Sequence, residues 1–367
     1  MNNKIKVIIT DDSAVTRGLF ARILDSDPGV EVIATASDGK TLLNLLKREG
    51  THKLNVDVVT LDIQMVEMDG LEALPQALKL RPDIKVIMVS SLTDEGSDET
   101  VKALSLGAAD FLTKPVNHTE KVDMLNFSTE LLKKVKELGG QKHIIKAITE
   151  HKKPDCTELV NSGAINLKTP KPIKPKILAI GSSTGGPQAL TDFFERLKGK
   201  KINIPILITQ HMPAQFTGLM AQQLKTTSGL DCIEGTQDMI VEPGKVYIAP
   251  GDYHMTLKQE KGVTKINLNQ NAQENYCRPA VDVMFRSIAD IYGGNVIVII
   301  FTGMGADGLL GSKIISDKGG AIIAQDEVTS VVWGMPGAVA KAGICTAIKP
   351  LKEIPDCLIK MSGGAIS

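Results

Sequence analysis

Short apolar runs alternate with amphipathic segments along most of this 367-residue chain. Five runs fall at 4–10, 30–35, 56–61, 84–90 and 108–113. Five more fall at 177–180, 204–209, 245–249, 296–301 and 321–324. Between runs lie stretches such as Val15, Leu19, Ile23 and Leu24, whose spacing lines up one apolar face of a helix. Strands that alternate with helices predict a parallel sheet covered on both faces. The pattern occurs twice, so two doubly wound α/β domains are expected. Thr256-Leu257 and the run 264–268 add a β-hairpin to the second.

The halves are separated by a change in composition. A polar helical pattern covers about 119–148 and leads to the tract Lys168-Thr169-Pro170-Lys171-Pro172-Ile173-Lys174-Pro175-Lys176. Closely spaced prolines cannot sustain a helix and favour extended polyproline geometry, which predicts a solvated spacer. The expected organisation is a first domain over 1–125, a helical extension and linker over 126–175 with the linker proper from about 140, and a second domain over 176–367. There is no internal repeat of fixed period.

Composition narrows the function classes. Lys plus Arg and Asp plus Glu both number 42, so the net charge is zero. A nucleic-acid binder would carry a basic excess or stripe, and no basic recognition helix stands out. No run approaches the ~20 apolar residues needed to span a bilayer, which argues against membrane insertion. The first apolar run stops at Asp11-Asp12, unlike a signal peptide. The five cysteines show no C-x-x-C spacing and are expected to be free thiols in a cytoplasmic protein.

Open parallel sheets bind ligands beyond the carboxyl ends of their strands. Asp11 and Asp12 follow the first run and Asp62 the third. Ser90 follows the fourth, and Lys114-Pro115 the fifth. Three carboxylates in one crevice repel one another unless a hard cation such as Mg2+ joins them. Acids, a hydroxyl and a lysine around one aspartate suit a covalently bound phosphoryl group. A lone strand-end aspartate is often only a helix cap, so the weight rests on the ordered set. Asp11-Asp12, Leu61-Asp62-Ile63, Met68-Asp69-Gly70, Val89-Ser90 and Thr113-Lys114-Pro115 together resemble the response-regulator receiver domain. The resemblance implies Asp62 as phosphoacceptor, Asp11, Asp12 and Asp62 as Mg2+ ligands, Ser90 and Lys114 as phosphoryl-sensing groups, and Phe111 as the aromatic switch position. Val66 departs from the proline common after Met65 in that family, which bears on loop stiffness beside the acceptor.

In the second half, Gly181-Ser182-Ser183-Thr184-Gly185-Gly186 links a strand to a segment, 187–197, that can form a helix. Its glycines could cradle a phosphate or simply make a turn, and a serine in G-x-S-x-G could be a nucleophile. The dinucleotide fingerprint fails at Ser183, and no Gly-Lys-Ser/Thr follows as in a phosphate loop. A serine nucleophile needs a base. This half holds two histidines, His211 in Gln210-His211-Met212-Pro213 and His254 at the hairpin edge. His211 ends a strand as Ser183 does, which brings the two into one crevice. Asp307, in Thr302-Gly303-Met304-Gly305-Ala306-Asp307-Gly308, could orient the imidazole, although alone it would be taken for an N-cap of the next helix. The order Ser–His–Asp differs from the Ser–Asp–His order of α/β-hydrolases.

These stretches, with Ala249-Pro250-Gly251-Asp252, Cys277-Arg278-Pro279-Ala280-Val281-Asp282 and Val332-Trp333-Gly334-Met335-Pro336-Gly337, resemble the catalytic domain of the chemotaxis protein-glutamate methylesterases. A receiver followed by such a domain is that family's architecture. The resemblance implies Ser183, His211 and Asp307 as a triad, with Ser182 replacing the usual alanine. Backbone N–H groups of Thr184 and near Met304 would hold the oxyanion, and Arg278 could position substrate. It further implies methylated chemoreceptors as substrate, release of methanol, deamidation of receptor glutamines, a histidine kinase as phosphodonor, no cofactor in the catalytic domain, a receiver that covers the cleft until phosphorylated, and a monomer. The rival readings are a phosphorylation-dependent binding module without catalysis, and a DNA-binding regulator.

Overall fold

A computed structural model describes residues 4–48, 54–91, 94–115, 121–150, 166–169 and 173–367. The chain divides into two compact units, Met1–Val160 and Asn161–Ser367.

The first unit alternates β1 (Ile5–Thr10), α1 (Ala14–Asp25), β2 (Val30–Ala36), α2 (Gly39–Leu46), β3 (Val58–Asp62), α3 (Gly70–Leu80), β4 (Lys85–Ser90), α4 (Asp94–Ser105), β5 (Asp110–Thr113) and α5 (Lys121–Glu150). Its five strands are parallel in the order β2-β1-β3-β4-β5. Strands β3 and β4 are central and nearly continuous in buried apolar residues, as a sheet covered on both faces requires. Short polar side chains start the helices: Ser13 Oγ accepts from the Thr16 amide, Asp38 Oδ1 from Thr41 and Asp69 Oδ1 from Glu72. Chain order reverses across β1 and β3, which places a crevice at their carboxyl ends.

The second unit comprises β6 (Ile177–Ser182), α6 (Gly186–Arg196), β7 (Ile206–Gln210), α7 (Ala214–Ser228), β8 (Asp231–Glu234), β9 (Lys245–Ile248), β10 (His254–Glu260), β11 (Val263–Asn269), α8 (Val281–Tyr292), β12 (Val296–Ile300), α9 (Leu309–Asp317), β13 (Ala321–Gln325), α10 (Met335–Lys341), β14 (Ala347–Lys349) and α11 (Ile354–Met361). A seven-stranded parallel sheet runs β14-β13-β12-β6-β7-β9-β8, and β10 with β11 forms a separate antiparallel hairpin. The expected doubly wound architecture is present in both units, and the expected hairpin in the second. The sequence pattern missed β8 and β14. Both are short edge strands with little buried apolar surface, so they carry almost no periodic signal.

From β6 the chain winds one way through β7 and β9, then returns to the other flank with β12 and β13. The carboxyl end of β6 is therefore the switch point of this sheet. Below it, Val281, Met284, Phe285 and Ile288 of α8 bury against Ile177, Ala179 and Val298. One end of the Lys/Pro tract is tied to this unit: the Lys168 amide donates to Cys345 O at 2.8 Å and its Nζ to Ser316 Oγ at 2.7 Å. Residues 170–172 of the tract lie outside the described residues, as does Cys156. Among the described residues, Cys232, Cys277, Cys345 and Cys357 are free thiols, and no helix is long and apolar enough to cross a membrane.

Candidate functional site

In the first unit, Asp11, Asp12 and Asp62 bring carboxylate oxygens within 4.8 Å of one another. Lys114 Nζ lies 2.7 Å from Asp62 Oδ2 and 2.9 Å from Asp11 Oδ2. Burial pushes the Asp62 carboxyl up to about 6; Lys114 opposes that rise, and the Asp11 and Asp12 charges add to it. One ammonium cannot balance three carboxylates at this range, so the residues present fit a divalent cation. The Ser90 hydroxyl is buried and has no hydrogen-bond partner among the described residues. Ser90, Lys114, Asp12 and Asp62 line one cavity of about 310 Å³. Phe111 is buried on β5 with Lys134 Nζ 5.3 Å above its ring. The loop after Asp62 folds back tightly. The Gly70 amide donates to Ile63 O at 2.8 Å, and a Cβ at Gly70 would collide with the Asp62 carbonyl. That close approach explains glycine directly after the Asp69 cap.

In the second unit, the tertiary contacts separate the two neighbouring serines. Ser182 is fully buried at the end of β6 and donates its hydroxyl to Gln210 Oε1 at 2.7 Å. The Gln210 amide nitrogen in turn donates to Ser183 O and His211 O, both at 3.0 Å. Ser183 is half-buried beyond the strand, between the ends of β7 and β12. Its amide donates to Thr302 O at 3.1 Å, and the His211 amide donates to Ser182 O at 3.1 Å. Gly185 follows with φ 75° and lets the chain turn into α6 at no steric cost.

His211 Nε2 lies 2.8 Å from Asp307 Oδ2, and Nδ1 lies 3.5 Å from Cys277 Sγ. Asp307 does not cap α9, whose N-cap is Gly308. Its carboxylate sits at the N-terminus of α8, accepting from the Val281 amide at 2.7 Å and the Asp282 amide at 3.0 Å. The Gly308 amide and Asn275 Nδ2, each at 2.9 Å, complete the set. A helix N-terminus favours an anion. Burial works against ionised Asp307, but His211 and these amides outweigh it and hold the carboxyl below the usual range. Burial likewise disfavours a charged His211 ring, yet the hydrogen bonds to Asp307 and Cys277 prevail and lift it from 6.5 to about 10. Asp282, buried beside Asp307, accepts from the Gly311 amide at 2.6 Å, and burial pushes it up to about 6.

The other sequence candidates fall elsewhere. His254 is buried and held at both ring nitrogens, by Ala272 O at 3.0 Å and the Ala280 amide at 3.2 Å. Arg278 directs Nε and Nη2 to Asp252 Oδ1 and Nη1 to the carbonyls of Gln270 and Asn271. Its donors hold a loop beside the cleft. The Met304 amide makes no hydrogen bond among the described residues, whereas the Thr184 carbonyl accepts from Thr302 Oγ1 at 2.9 Å. Sequence reasoning missed Gln210, Asn275 and the contact of Cys277 with His211. Asn275 carries no motif, and only the fold brings it to Asp307.

A five-stranded unit with an acid cluster at its strand ends, joined to a parallel α/β unit with Ser183, His211 and Asp307 beyond the carboxyl ends of its central strands, defines a two-domain response regulator with a hydrolase-type output unit. A family model described as a response regulator receiver domain matches residues 7–126, and one described as CheB methylesterase matches residues 178–358. The chain is 43% identical to protein-glutamate methylesterase/protein-glutamine glutaminase 1 of Paramagnetospirillum magneticum, over 98% of this chain and 97% of that protein. It is 44% identical to protein-glutamate methylesterase/protein-glutamine glutaminase of Azospirillum brasilense, over 98% and 93%. The crystal structure of the Thermotoga maritima CheB methylesterase catalytic domain aligns with a TM-score of 0.50 at 41% identity, covering 52% of this chain and 100% of that one. The chain belongs to the CheB methylesterase family.

Proposed function

We propose that this chain is a phosphorylation-activated protein-glutamate methylesterase and protein-glutamine glutaminase acting on chemoreceptors in bacterial chemotaxis. One observation carries the chemistry: half-buried Ser183 stands at the switch point where His211 and Asp307 pair at 2.8 Å.

Ser183 Oγ attacks the carbonyl of a glutamyl methyl ester. Its proton passes to His211 Nδ1, the nitrogen that Asp307 does not hold, and Cys277 must yield that nitrogen as substrate binds. Contacts of this kind are often loose before substrate arrives. Asp307 keeps the other nitrogen in register and offsets the imidazolium charge. The Ser183 amide is engaged with Thr302 O, so the oxyanion falls to the Met304 amide, with Thr184 as its neighbour; one such donor supplies about 3 kcal/mol. His211 returns its proton to the leaving methanol. Water then cleaves the acyl-enzyme to glutamate and free Ser183. With a glutamine side chain the same route expels ammonia. We assign Arg278 to holding the 270–278 loop rather than to substrate.

In the receiver, Asp62 is the phosphoacceptor, and Asp11, Asp12 and Asp62 hold Mg2+. When bound, that ion offsets the carboxylates and favours transfer of a phosphoryl group from a histidine kinase. Lys114 and Ser90 then meet the phosphoryl oxygens, and Phe111 is the aromatic that responds. The protein acts in the cytoplasm. The test is methanol release from methylated receptor membranes, with and without a small phosphodonor and Mg2+. Phosphodonor is expected to raise the rate by about 5- to 150-fold, the span of typical coupling energies. Asp62→Asn should keep the basal rate and abolish the rise. No methanol under either condition would end this reading.

The raised pKa of His211 makes a second prediction. The rate depends on neutral imidazole, so kcat/KM should climb through neutral pH and level off only towards about 10, not at 6.5. Cys277→Ala removes one of two groups that hold the proton, so the bend should move down. The linkage has the opposite sense for stability: the contribution is full below 6.5 and is lost as pH rises through about 10. A bend at 6.5 in both proteins would show that neither partner acts on the imidazole in the working enzyme.

A further inference from the structure

Asn275 and Tyr276, just before Cys277, both occupy the left-handed region, at φ 55° and 62°. Glu274 and Cys277 exchange two backbone hydrogen bonds, 3.2 and 3.0 Å, closing a two-residue hairpin turn. Such turns need positive φ at both corners; asparagine suits the first and glycine the second. Here a tyrosine stands where glycine would be strain-free, an uncommon placement for a bulky residue. The surroundings over-determine it. Glu274 pairs with both Nη atoms of Arg286 at 2.5 and 2.6 Å, Asn275 donates to Asp307, and Cys277 meets His211.

Three of the four turn residues thus face α8 or the reactive cluster. Tyr276 does not. It is 93% exposed and its hydroxyl has no partner among the described residues. The ring stands in solvent one residue from the group that touches His211. A strained residue that contributes nothing to its own fold points to a function outside it. Tyrosine carries a large amphipathic contact area at low entropy cost, which suits a docking position. The substrate ester is borne by another protein, so the rim of the cleft must lie against that protein's surface whenever Ser183 acts.

We propose that Tyr276 is a substrate-contact residue that sets specificity, docking on the apolar surface of the chemoreceptor segment that flanks the esterified glutamyl. The inference rests on the methylesterase reading above.

The experiment compares Tyr276→Gly and Tyr276→Phe with wild type in methanol release from methylated receptor membranes, separating KM from kcat, with melting temperatures measured alongside. Tyr276→Gly should raise KM at least about fivefold and hold kcat within about twofold, the signature of lost binding without lost chemistry. Its melting temperature should stay level or rise, because glycine suits that corner. Tyr276→Phe should keep KM near wild type. An unchanged KM in Tyr276→Gly overturns the proposal. So does a fall in kcat at constant KM, which would make the turn part of the positioning of His211. A higher basal rate without phosphodonor, at unchanged KM, would mean instead that the ring packs on this chain's own receiver. Failure of wild type to release methanol would sink the methylesterase reading itself, a different result from any of these.

Discussion

Ser183→Ala is expected to abolish methanol release, while Ser182→Ala retains at least about a tenth of it. Removal of a triad serine typically costs at least about 10⁴ in kcat, because base and acid have nothing to activate. Ser182 is chemically the same group in a different place. It is fully buried, and its hydroxyl is engaged with Gln210 Oε1 at 2.7 Å. Ser182→Ala leaves that oxygen without its donor inside the sheet, at about 1–3 kcal/mol of stability. Gln210 also grips the carbonyls of Ser183 and His211, so loosening it should lower kcat by about tenfold at most, a positioning loss far short of removing the nucleophile. The measurements are methanol release and urea unfolding on both variants. If Ser182→Ala were inactive yet folded, and Ser183→Ala active, the assignment of the nucleophile would be reversed.

Asp307→Asn is expected to lower kcat by about 10⁴, the scale seen when a triad acid loses its charge. The structure adds two further consequences. The Asp307 carboxylate accepts from the Val281, Asp282 and Gly308 amides, from Asn275, and from His211. An amide there keeps one acceptor oxygen and turns a donor towards other donors. The fold should lose roughly 1–3 kcal/mol, since buried N–H groups are left unpaired. The residual activity should also bend at a lower pH than wild type, because the charge that holds the His211 proton is gone. Full activity in a folded Asp307→Asn protein would exclude Asp307 from the reaction. Asn275→Ala is a milder version of the same lesion, removing one donor at 2.9 Å and no charge.

Much of the architecture was legible in the chain because burial leaves a periodic trace. β3, β6, β7 and β12 lie deep in parallel sheets, so their residues form nearly continuous apolar runs. Strand ends were legible too, since Asp11, Asp62, Ser90, Ser183 and His211 are polar groups where those runs stop. β8 and β14 were not, being short edge strands with half-buried faces. Asp307 was legible as a partner for His211, but not its seat at the start of α8. The chain has it next to α9, while its acceptor geometry belongs to α8, more than twenty residues upstream.

From the order of residues alone came two doubly wound α/β domains, the acid cluster around Asp62, and the trio Ser183, His211 and Asp307. Those follow from local rules: hydrophobic period, strand-end polarity and glycine-flanked turns. Only the tertiary structure decided that the Ser182 hydroxyl is tied to Gln210, that Arg278 binds a loop, and that Asn275 and Cys277 touch Asp307 and His211. The reason is physical. A hydroxyl, a guanidinium or a carboxamide has the same chemistry wherever it sits in a sequence, and its role is set by which groups packing leaves within about 3 Å of it.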